Sequence, residues 1–503
     1  MNESQASRHD SHRSGPTELA EQAASLTRRA RTAQEHWAHR SIDDRATLLR
    51  QAARGMLRRR SEVIALVREE MGKVEAEGLF NEALGPIDAV TGWTRVVRAA
   101  MNPERVRLNP LSFPGKEATI ELVPRGVVGV IAPWNFPVAG LYRAVFPALL
   151  TGNAVIVKPS PFSERSSAWF VDRLAEFLPL GLAQCLLGDR EAGEALIDSG
   201  IDACVFTGST RSGRAVEVRC AERGIPSSVE MGGKDAAIVM ADCDLTRTAT
   251  AVAHWALANA GQACGAIEIA YVEEAIADAF VAHTGRLFEK LDATSVAPLA
   301  NRAQFEIVSS HVENARTLGA AVVTGGRAGE GLWYAPTILD RCSAQMDVVR
   351  EETFGPVLAI VRIAGVSDAI AAINESRYGL GASIWTRDIS RAKRLASRLD
   401  VGIANINSHA FSGAIPSLPW SGTRDTGFGV ANSAYALPTF VRPRVVTVDR
   451  SRGPDVYFMP YDKALIELGE LLADAQIGRF AGAWKIPLLM RRRLKTIRDS
   501  FRR

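Results

Sequence analysis

The feature that most constrains this chain is an alternation. Short β-branched or apolar runs are each followed by Gly, Pro or Ser and then by a helical stretch, the pattern of parallel strands joined by crossover helices. Residues 127–132, 154–157, 203–206 and 236–240 form one such series; residues 269–272, 321–323, 357–361 and 403–406 form a second. Two consecutive α/β units imply a cleft between them. Residues 17–100 read mostly as helix, with apolar residues at helical spacing and Arg or Glu between them. The chain has 503 residues, enough for two or three domains around sizeable cores. No internal repeat or low-complexity linker marks their boundaries.

Several function classes are excluded at this level. No apolar run approaches the ~18 residues of a membrane-spanning helix. Residues 1–16 are polar, contain no apolar signal-peptide region and are expected to be disordered. The six cysteines (185, 204, 220, 243, 264, 342) include no pair at CxxC spacing, which argues against a disulfide framework, against a zinc site and for a reducing cytoplasm. The net charge of +4 is misleading. Residues 484–503 carry eight Lys or Arg and one Asp, so the rest of the chain is slightly acidic and bulk nucleic-acid binding is not expected.

The chemistry-bearing motifs are individually weak. Pro133-Trp-Asn-Phe-Pro137 is a rigid turn straight after a strand, where the Asn135 amide suits an oxyanion; the plain alternative is a packed turn. Lys158, in Gly152-Asn-Ala-Val-Ile-Val-Lys-Pro-Ser160, falls at the carboxyl edge of a sheet, where open α/β folds bind ligands. A solvated lysine is the commoner case. Phe206-Thr-Gly-Ser-Thr-Arg-Ser-Gly213 leads from a strand into a helix whose free N–H groups suit an anion, or it is a turn without a ligand. Glu230-Met-Gly-Gly-Lys puts a carboxylate before two glycines, where backbone approaches closely; the alternative is a surface carboxylate. Asn259-Ala-Gly-Gln-Ala-Cys264 sets a cysteine beside small residues and an amide, although a lone cysteine is more often a small buried hydrophobe.

Their order is specific. These motifs, followed by Glu351-Glu-Thr-Phe-Gly-Pro356, Asn374-Glu-Ser-Arg-Tyr-Gly-Leu, Ser383-Ile-Trp-Thr-Arg-Asp388 and Pro419-Trp-Ser-Gly-Thr-Arg-Asp-Thr-Gly-Phe-Gly429, and preceded by Glu69-Glu-Met-Gly-Lys73, resemble the aldehyde dehydrogenase superfamily over about residues 25–447. The 34-residue interval from Glu230 to Cys264 matches that family's spacing of base and nucleophile.

The resemblance implies two parallel-sheet α/β domains, one Rossmann-like for the cofactor and one catalytic, with a small oligomerisation element. Residues 17–105 and 125–231 would bind the cofactor, 232–432 would be catalytic, 106–124 and 433–450 would supply oligomerisation strands, and 451–503 would form a basic amphipathic tail. It further implies that Cys264 attacks the aldehyde, that Asn135 and the Cys264 N–H hold the oxyanion, and that Glu230 activates water against the thioester. NAD or NADP would lie along Trp134, Lys158, Ser160, Pro161, Gly208, Ser209, Gly213 and Gly232, with Glu352 on the nicotinamide ribose and Phe354 beside the ring. Tyr142, Phe411 and Trp420 would line the substrate tunnel and favour an apolar or aromatic aldehyde, with small residues Ala263 and Gly265 leaving room. No metal is implied. A homodimer or homotetramer is.

Departures from the family pattern carry their own expectations. Pro161 replaces a frequent Glu that would repel a 2′-phosphate, which points to NADP tolerance. Arg143-Ala144 replaces a frequent Trp-Lys, and Ile269 a frequent Arg. Residues 292–299 look shorter than the usual loop. Acyl transfer to coenzyme A and a catalytically idle homologue are the competing readings; retention of Glu230, Cys264 and Asn135 weighs against both. In the tail, Met490, Leu494, Ile497 and Phe501 fall on one helical face flanked by Arg491, Arg492, Arg493, Lys495, Arg498, Arg502 and Arg503. That stripe either packs on protein or makes peripheral contact with an anionic membrane through residues 484–503.

Overall fold

The structure, a computed structural model, describes residues 15–109, 113–451 and 453–500. The chain divides into two compact units: residues 1–101 with 123–442, and residues 102–122 with 443–503. Most of the expected disordered start (1–14) lies outside the described residues, and Pro16 already opens a helix.

The first unit holds two sheets. One has strands β1 (Val127–Ile131), β2 (Ala154–Lys158), β3 (Ala183–Cys185), β4 (Ala203–Thr207) and β5 (Ser227–Glu230), ordered β3-β2-β1-β4-β5 and parallel throughout. The other has β6 (Asp235–Val239), β7 (Ile267–Glu273), β8 (Ala321–Thr324), β9 (Thr337–Asp340), β10 (Val357–Ile363), β11 (Gly381–Trp385) and β12 (Ile403–Ile406), ordered β8-β9-β10-β7-β6-β11-β12. It is parallel except where edge strand β8 runs antiparallel to β9. β1, β2, β6 and β11 are buried at every position, as strands covered by helices on both faces must be. Each fully buried Val or Ile there contributes about 1.5–3 kcal/mol by leaving water.

Two expectations are corrected here. The run at 236–240 belongs to the second sheet, and β5, which ends on Glu230, closes the first. The sequence 227–230 was hard to recognise because Ser-Ser-Val-Glu is only half apolar. Residues 321–324 form an antiparallel edge rather than another parallel strand.

The helical start packs on the first sheet. Helices α1 (Pro16–Ala38), α2 (Ile42–Arg58), α3 (Arg60–Met71) and α4 (Gly85–Ala100) have Pro16 at the start of α1 and a Ser41 cap that accepts the Asp44 N–H at 3.1 Å at α2. Trp37 Nε1 donates to Leu149 O at 2.9 Å, and Arg45 Nη1 to Leu150 O at 2.6 Å. Both acceptors lie near the end of helix α5 (Ala139–Leu150), where carbonyls lack partners within the helix.

The second unit contains a three-stranded sheet of Glu104–Val106, Lys116–Pro124 and Val441–Asp449. Residues 434–439 turn in a short 3-10 helix rather than extending that strand. Arg444 pairs with Glu121 at 2.7 Å and Arg450 with Glu117 at 2.8 Å across the sheet. The tail is a pair of helices, α8 (Lys463–Gln476) and α9 (Ile486–Ser500), sharing a small core of Ala464, Leu468 and Leu489. The buried face of α9 is Leu489, Arg493 and Ile497, with Ile486 and Met490 half-buried. The expected stripe is therefore rotated: Leu494 is only half-buried, and Phe501 lies outside the described residues. Arg493 is wholly buried, its guanidinium donating to Val456 O at 3.0 Å and to Phe458 O, and it lies 3.4 Å from Asp462. Its alkyl stem fills the position an apolar residue would otherwise take.

Candidate active site

The proposed site residues come from opposite edges of the two sheets. Asn135, Lys158, Gly208 and Glu230 follow or end β1, β2, β4 and β5, so the first sheet offers its carboxyl edge. Cys264 precedes β7, and Glu352 and Phe354 precede β10, so the second offers its amino edge.

Asn135 is 7% exposed and held on both ends of its polar reach. Its Nδ2 donates to Gln262 O at 3.0 Å, and its backbone carbonyl accepts from Asn259 Nδ2 at 3.1 Å. One Nδ2 hydrogen is thus committed and the other is available. The turn carrying Asn135 is fixed from below by Glu82, whose carboxylate accepts the N–H groups of Val138 (3.0 Å) and Ala139 (2.9 Å) and pairs with Lys73 at 2.5 Å. Lys73 and Glu82 are both buried, and the Lys73 ammonium sits 4.2 Å from the Phe136 ring centroid. Glu82 belongs to a π-helical segment, Gly78–Ala83, an irregularity enriched at functional sites.

The loop leading to Cys264 leaves helix α7 (Leu245–Leu257) through three successive left-handed residues, Asn259 (φ 56°), Ala260 (φ 55°) and Gly261 (φ 70°). Side-chain-bearing residues hold that conformation only where the surroundings impose it. Here Glu77 accepts the Asn259 N–H at 2.5 Å, and Asn259 Nδ2 also donates to Gln262 O at 2.9 Å. Gln262 Oε1 accepts from Ala300 N at 2.9 Å. Among the described residues no acceptor engages the Cys264 N–H.

The two glycines after Glu230 are required by close approach. A Cβ on Gly233 would stand 2.6 Å from Cys264 O, and one on Gly232 would collide with the Glu352 carboxylate. Glu352 Oε1 accepts the Gly233 N–H at 2.9 Å. Its loop is held by a group the sequence reading did not assign: buried Glu268 accepts from Thr353 N (2.8 Å) and Phe354 N (2.9 Å) and pairs with Lys234. Phe354, at φ 50°, is thereby locked with its ring edge-on to Trp134, centroids 5.6 Å apart. Lys234 was visible in the Glu-x-Gly-Gly-Lys motif; Glu268, Glu82, Glu77 and Asn259 gave no separate signal.

Burial governs the electrostatics. It pushes Glu230 up to about 7, with Arg143 opposing, and Glu352 up to about 8, with Glu268 adding to the rise. The Cys264 thiol is pushed up to about 12, mainly by burial; Arg143 opposes this, while Glu230, Asp235 and Glu352 add to it.

On the cofactor side, Lys158 is 6% exposed, and burial lowers its ammonium from the ordinary value while Asp189, Glu164 and Glu191 oppose that. Ser160 caps the short turn begun by Pro161, its Oγ 3.4 Å from Phe162 N. Gly208 follows β4, and Ser209 caps helix α6 (Thr210–Glu222), its hydroxyl accepting from Ser212 N at 3.4 Å. Gly213 is buried inside that helix against Met231. This buried lysine at one strand end, the helix N-terminus at another and the Trp134–Phe354 pair fit the ribose, pyrophosphate and ring of a dinucleotide.

On the other side, Trp420 is 4% exposed and packs with Cys264, Leu380 and Ile403. Tyr142 stacks on Phe146, centroids 5.9 Å apart, with its hydroxyl against Gly85, and Phe411 is exposed. A cavity of about 40 Å³, large enough for a few waters, is lined by Glu230, Thr207, Ser228 and Arg143 among others. A thiol, an amide donor tied to the loop before that thiol, an N–H without an acceptor among the described residues and a carboxylate whose charge reaches the thiol suit attack on a carbonyl followed by hydrolysis.

Comparison with known proteins agrees with this geometry. The aldehyde dehydrogenase family model matches residues 8–446. The chain is 35% identical over 432 residues to the 4,4′-diapolycopene aldehyde oxidase of Methylomonas sp, covering 84% of this chain and 81% of that protein. It is 32% identical over 450 residues to a putative NADP(+) succinate-semialdehyde dehydrogenase of Mycolicibacterium smegmatis, covering 86% of each. The NADP-dependent glyceraldehyde-3-phosphate dehydrogenase of Bacillus halodurans C-125, solved with NADP, superposes with a TM-score of 0.78 at 31% identity, over 86% of this chain and 92% of that one.

Proposed function

We propose a reaction from one premise: the chain belongs to the aldehyde dehydrogenase family and is an oxidoreductase acting on the aldehyde group. Cys264, as thiolate, attacks the aldehyde carbonyl, and the oxyanion is received by the free hydrogen of Asn135 Nδ2 and the Cys264 N–H. Losing one such donor costs about 2.7–4 kcal/mol of transition-state stabilisation. A bound nicotinamide dinucleotide supplies the hydride acceptor. Glu230 then takes a proton from water as that water attacks the thioester, releasing the acid. The observation that carries this reading is the convergence on one loop: the Glu230 charge reaches the Cys264 thiol, and Asn135 Nδ2 is tied to the carbonyl of Gln262, two residues before Cys264. We place the dinucleotide along Trp134, Lys158, Ser160, Pro161, Gly208, Ser209, Gly213, Gly232, Glu352 and Phe354.

NADP is the favoured cofactor in this reading. Pro161 presents no carboxylate to a 2′-phosphate, and the Mycolicibacterium and Bacillus relatives carry NADP in their names. For the substrate, Tyr142, Phe411 and Trp420 support an apolar or aromatic aldehyde, and one relative is named for a diapolycopene aldehyde. A second reading, an aldehyde bearing a carboxylate, is favoured by Arg143, whose buried Nε and Nη2 have no hydrogen-bond partner among the described residues, and by the semialdehyde relative. An aldehyde panel with NAD and NADP, followed by absorbance of the reduced cofactor, tests all three. Turnover is expected with NADP, and Cys264→Ala is expected to abolish it while retaining cofactor binding. Residual turnover above a few per cent removes Cys264 from its role, and a strong NAD preference unaltered by Pro161→Glu removes the argument from Pro161.

The assembly belongs to the same reading. The second unit exposes Val445, Val446 and Val448 on one strand, a surface suited to a second copy of the chain. Among the described residues no helix is long and apolar enough to cross a membrane. The tail still exposes Ile477, Phe480, Trp484 and Leu488 beside Arg479 and Lys485, and we assign that set to peripheral contact with an anionic lipid surface.

A further inference from the structure

Arg143 lies on α5, one residue beyond Tyr142, and among the described residues no carboxylate forms an ion pair with it. Its Nε and Nη2 are buried, and among the described residues neither has a hydrogen-bond partner. The guanidinium lies over the Trp420 ring, 5.4 Å from its centroid. Trp420 packs with Cys264 in one apolar cluster, its ring 2.9 Å from where a Cβ on Gly265 would stand. Arg143 also lines the cavity that Glu230 lines. Guanidinium nitrogens withdrawn from water without an acceptor are costly, and a cation resting on an aromatic face is only partly compensated.

The charged surroundings say what could answer it. Cys264 feels Arg143 and three carboxylates, Glu230, Asp235 and Glu352. Lys234 is bound to Glu268, and His409 Nε2 sits 3.1 Å from Gly265 O and 3.4 Å from Asp235. Arg143 is thus the cation whose charge acts on both Cys264 and Glu230. The reaction makes anions at those two places in turn: a thiolate before attack and a carboxylate before hydrolysis.

We propose that Arg143 is a positioning residue for charge, favouring the Cys264 thiolate ahead of attack and the Glu230 carboxylate ahead of hydrolysis. It rests on Trp420, which packs with Cys264, and among the described residues forms no ion pair with Glu230. The family resemblance puts tryptophan at this position in many members, where this chain has a cation. The inference rests on Cys264 being the nucleophile and applies whatever aldehyde is used.

The test is alkylation of Cys264 by iodoacetamide between about pH 6 and pH 10, without aldehyde or cofactor, followed by mass spectrometry of the Cys264 peptide. Arg143→Met is expected to move the profile to higher pH, by about one unit, which is about tenfold slower modification at a given pH below the plateau. Arg143→Lys, which keeps the charge, is expected to stay near wild type. A profile for Arg143→Met that superposes on wild type overturns the proposal, as does Arg143→Lys displaced as far as Arg143→Met. Should Arg143→Met not fold, Arg143→Gln set against Arg143→Lys makes the same comparison. If Cys264→Ala instead leaves turnover intact, the nucleophilic role of Cys264 fails, while the alkylation profile still reports on the charge of Arg143 at that thiol.

Discussion

Glu230 shows how one side chain's burial sets a pH profile. With its carboxyl pushed up to about 7, a substantial fraction is protonated at neutral pH and unable to accept a proton from water. Hydrolysis of the thioester is therefore expected to rise with pH through about 7, as the carboxylate form fills. Glu230→Gln should remove that rise and leave a first-turnover burst of reduced cofactor followed by a stall, read by stopped-flow absorbance. Unchanged steady-state turnover would give the water-activating role to another group. Residues of this kind were legible in the sequence because a motif carries them: Cys264, Glu230 and Asn135 each sit in a short, ordered signature. Glu268, which clamps the Phe354 loop by two N–H bonds, was not, since a buried carboxylate is defined by partners distant in sequence, here 85 and 86 residues away.

Among the elements, the π-helical segment Gly78–Ala83 has the widest reach, through Glu82. Glu82→Gln should leave Lys73 buried without its counter-charge and loosen the turn that carries Asn135. Thermal denaturation is expected to show a loss of about 3–5 kcal/mol, most of it recovered in the double variant Lys73→Met/Glu82→Gln. kcat should fall in both variants, because neither restores the two N–H bonds at full strength; equal kcat in the double variant and wild type would reduce the pair to a packing device. The strands were the most legible elements, since β1, β2, β4, β7, β10 and β12 each contain an apolar run with a turn after it. The exceptions follow from the same physics. Half-polar Ser227–Glu230 gives too weak an apolar signal, and in α9 the apolar spacing places the buried face slightly rotated because an arginine stem occupies the core side beside Ile497.

At the scale of the whole molecule, the tail separates two surfaces that composition alone merges. Leu489 lies in the α8–α9 core and Arg493 and Ile497 are buried, whereas Ile477, Phe480, Trp484 and Leu488 remain exposed. Sedimentation with anionic phospholipid vesicles at low salt should therefore be lost in the full-length Phe480→Ser/Trp484→Ser variant and weakened by high salt in wild type. Recovery of both proteins in the supernatant at low salt ends the lipid assignment, and a change of mass by light scattering in the variant transfers these residues to a subunit interface. The two sheets of the first unit have a different lesson. One brings its carboxyl edge and the other its amino edge, so the candidate site is a seam, and neither sheet alone carries both the proposed nucleophile and the proposed base. Such a site cannot be inherited, transplanted or repaired by halves. Its tolerance is set by how faithfully the two sheets keep station, and a substitution remote from every reacting atom can silence it by a small slip along that seam.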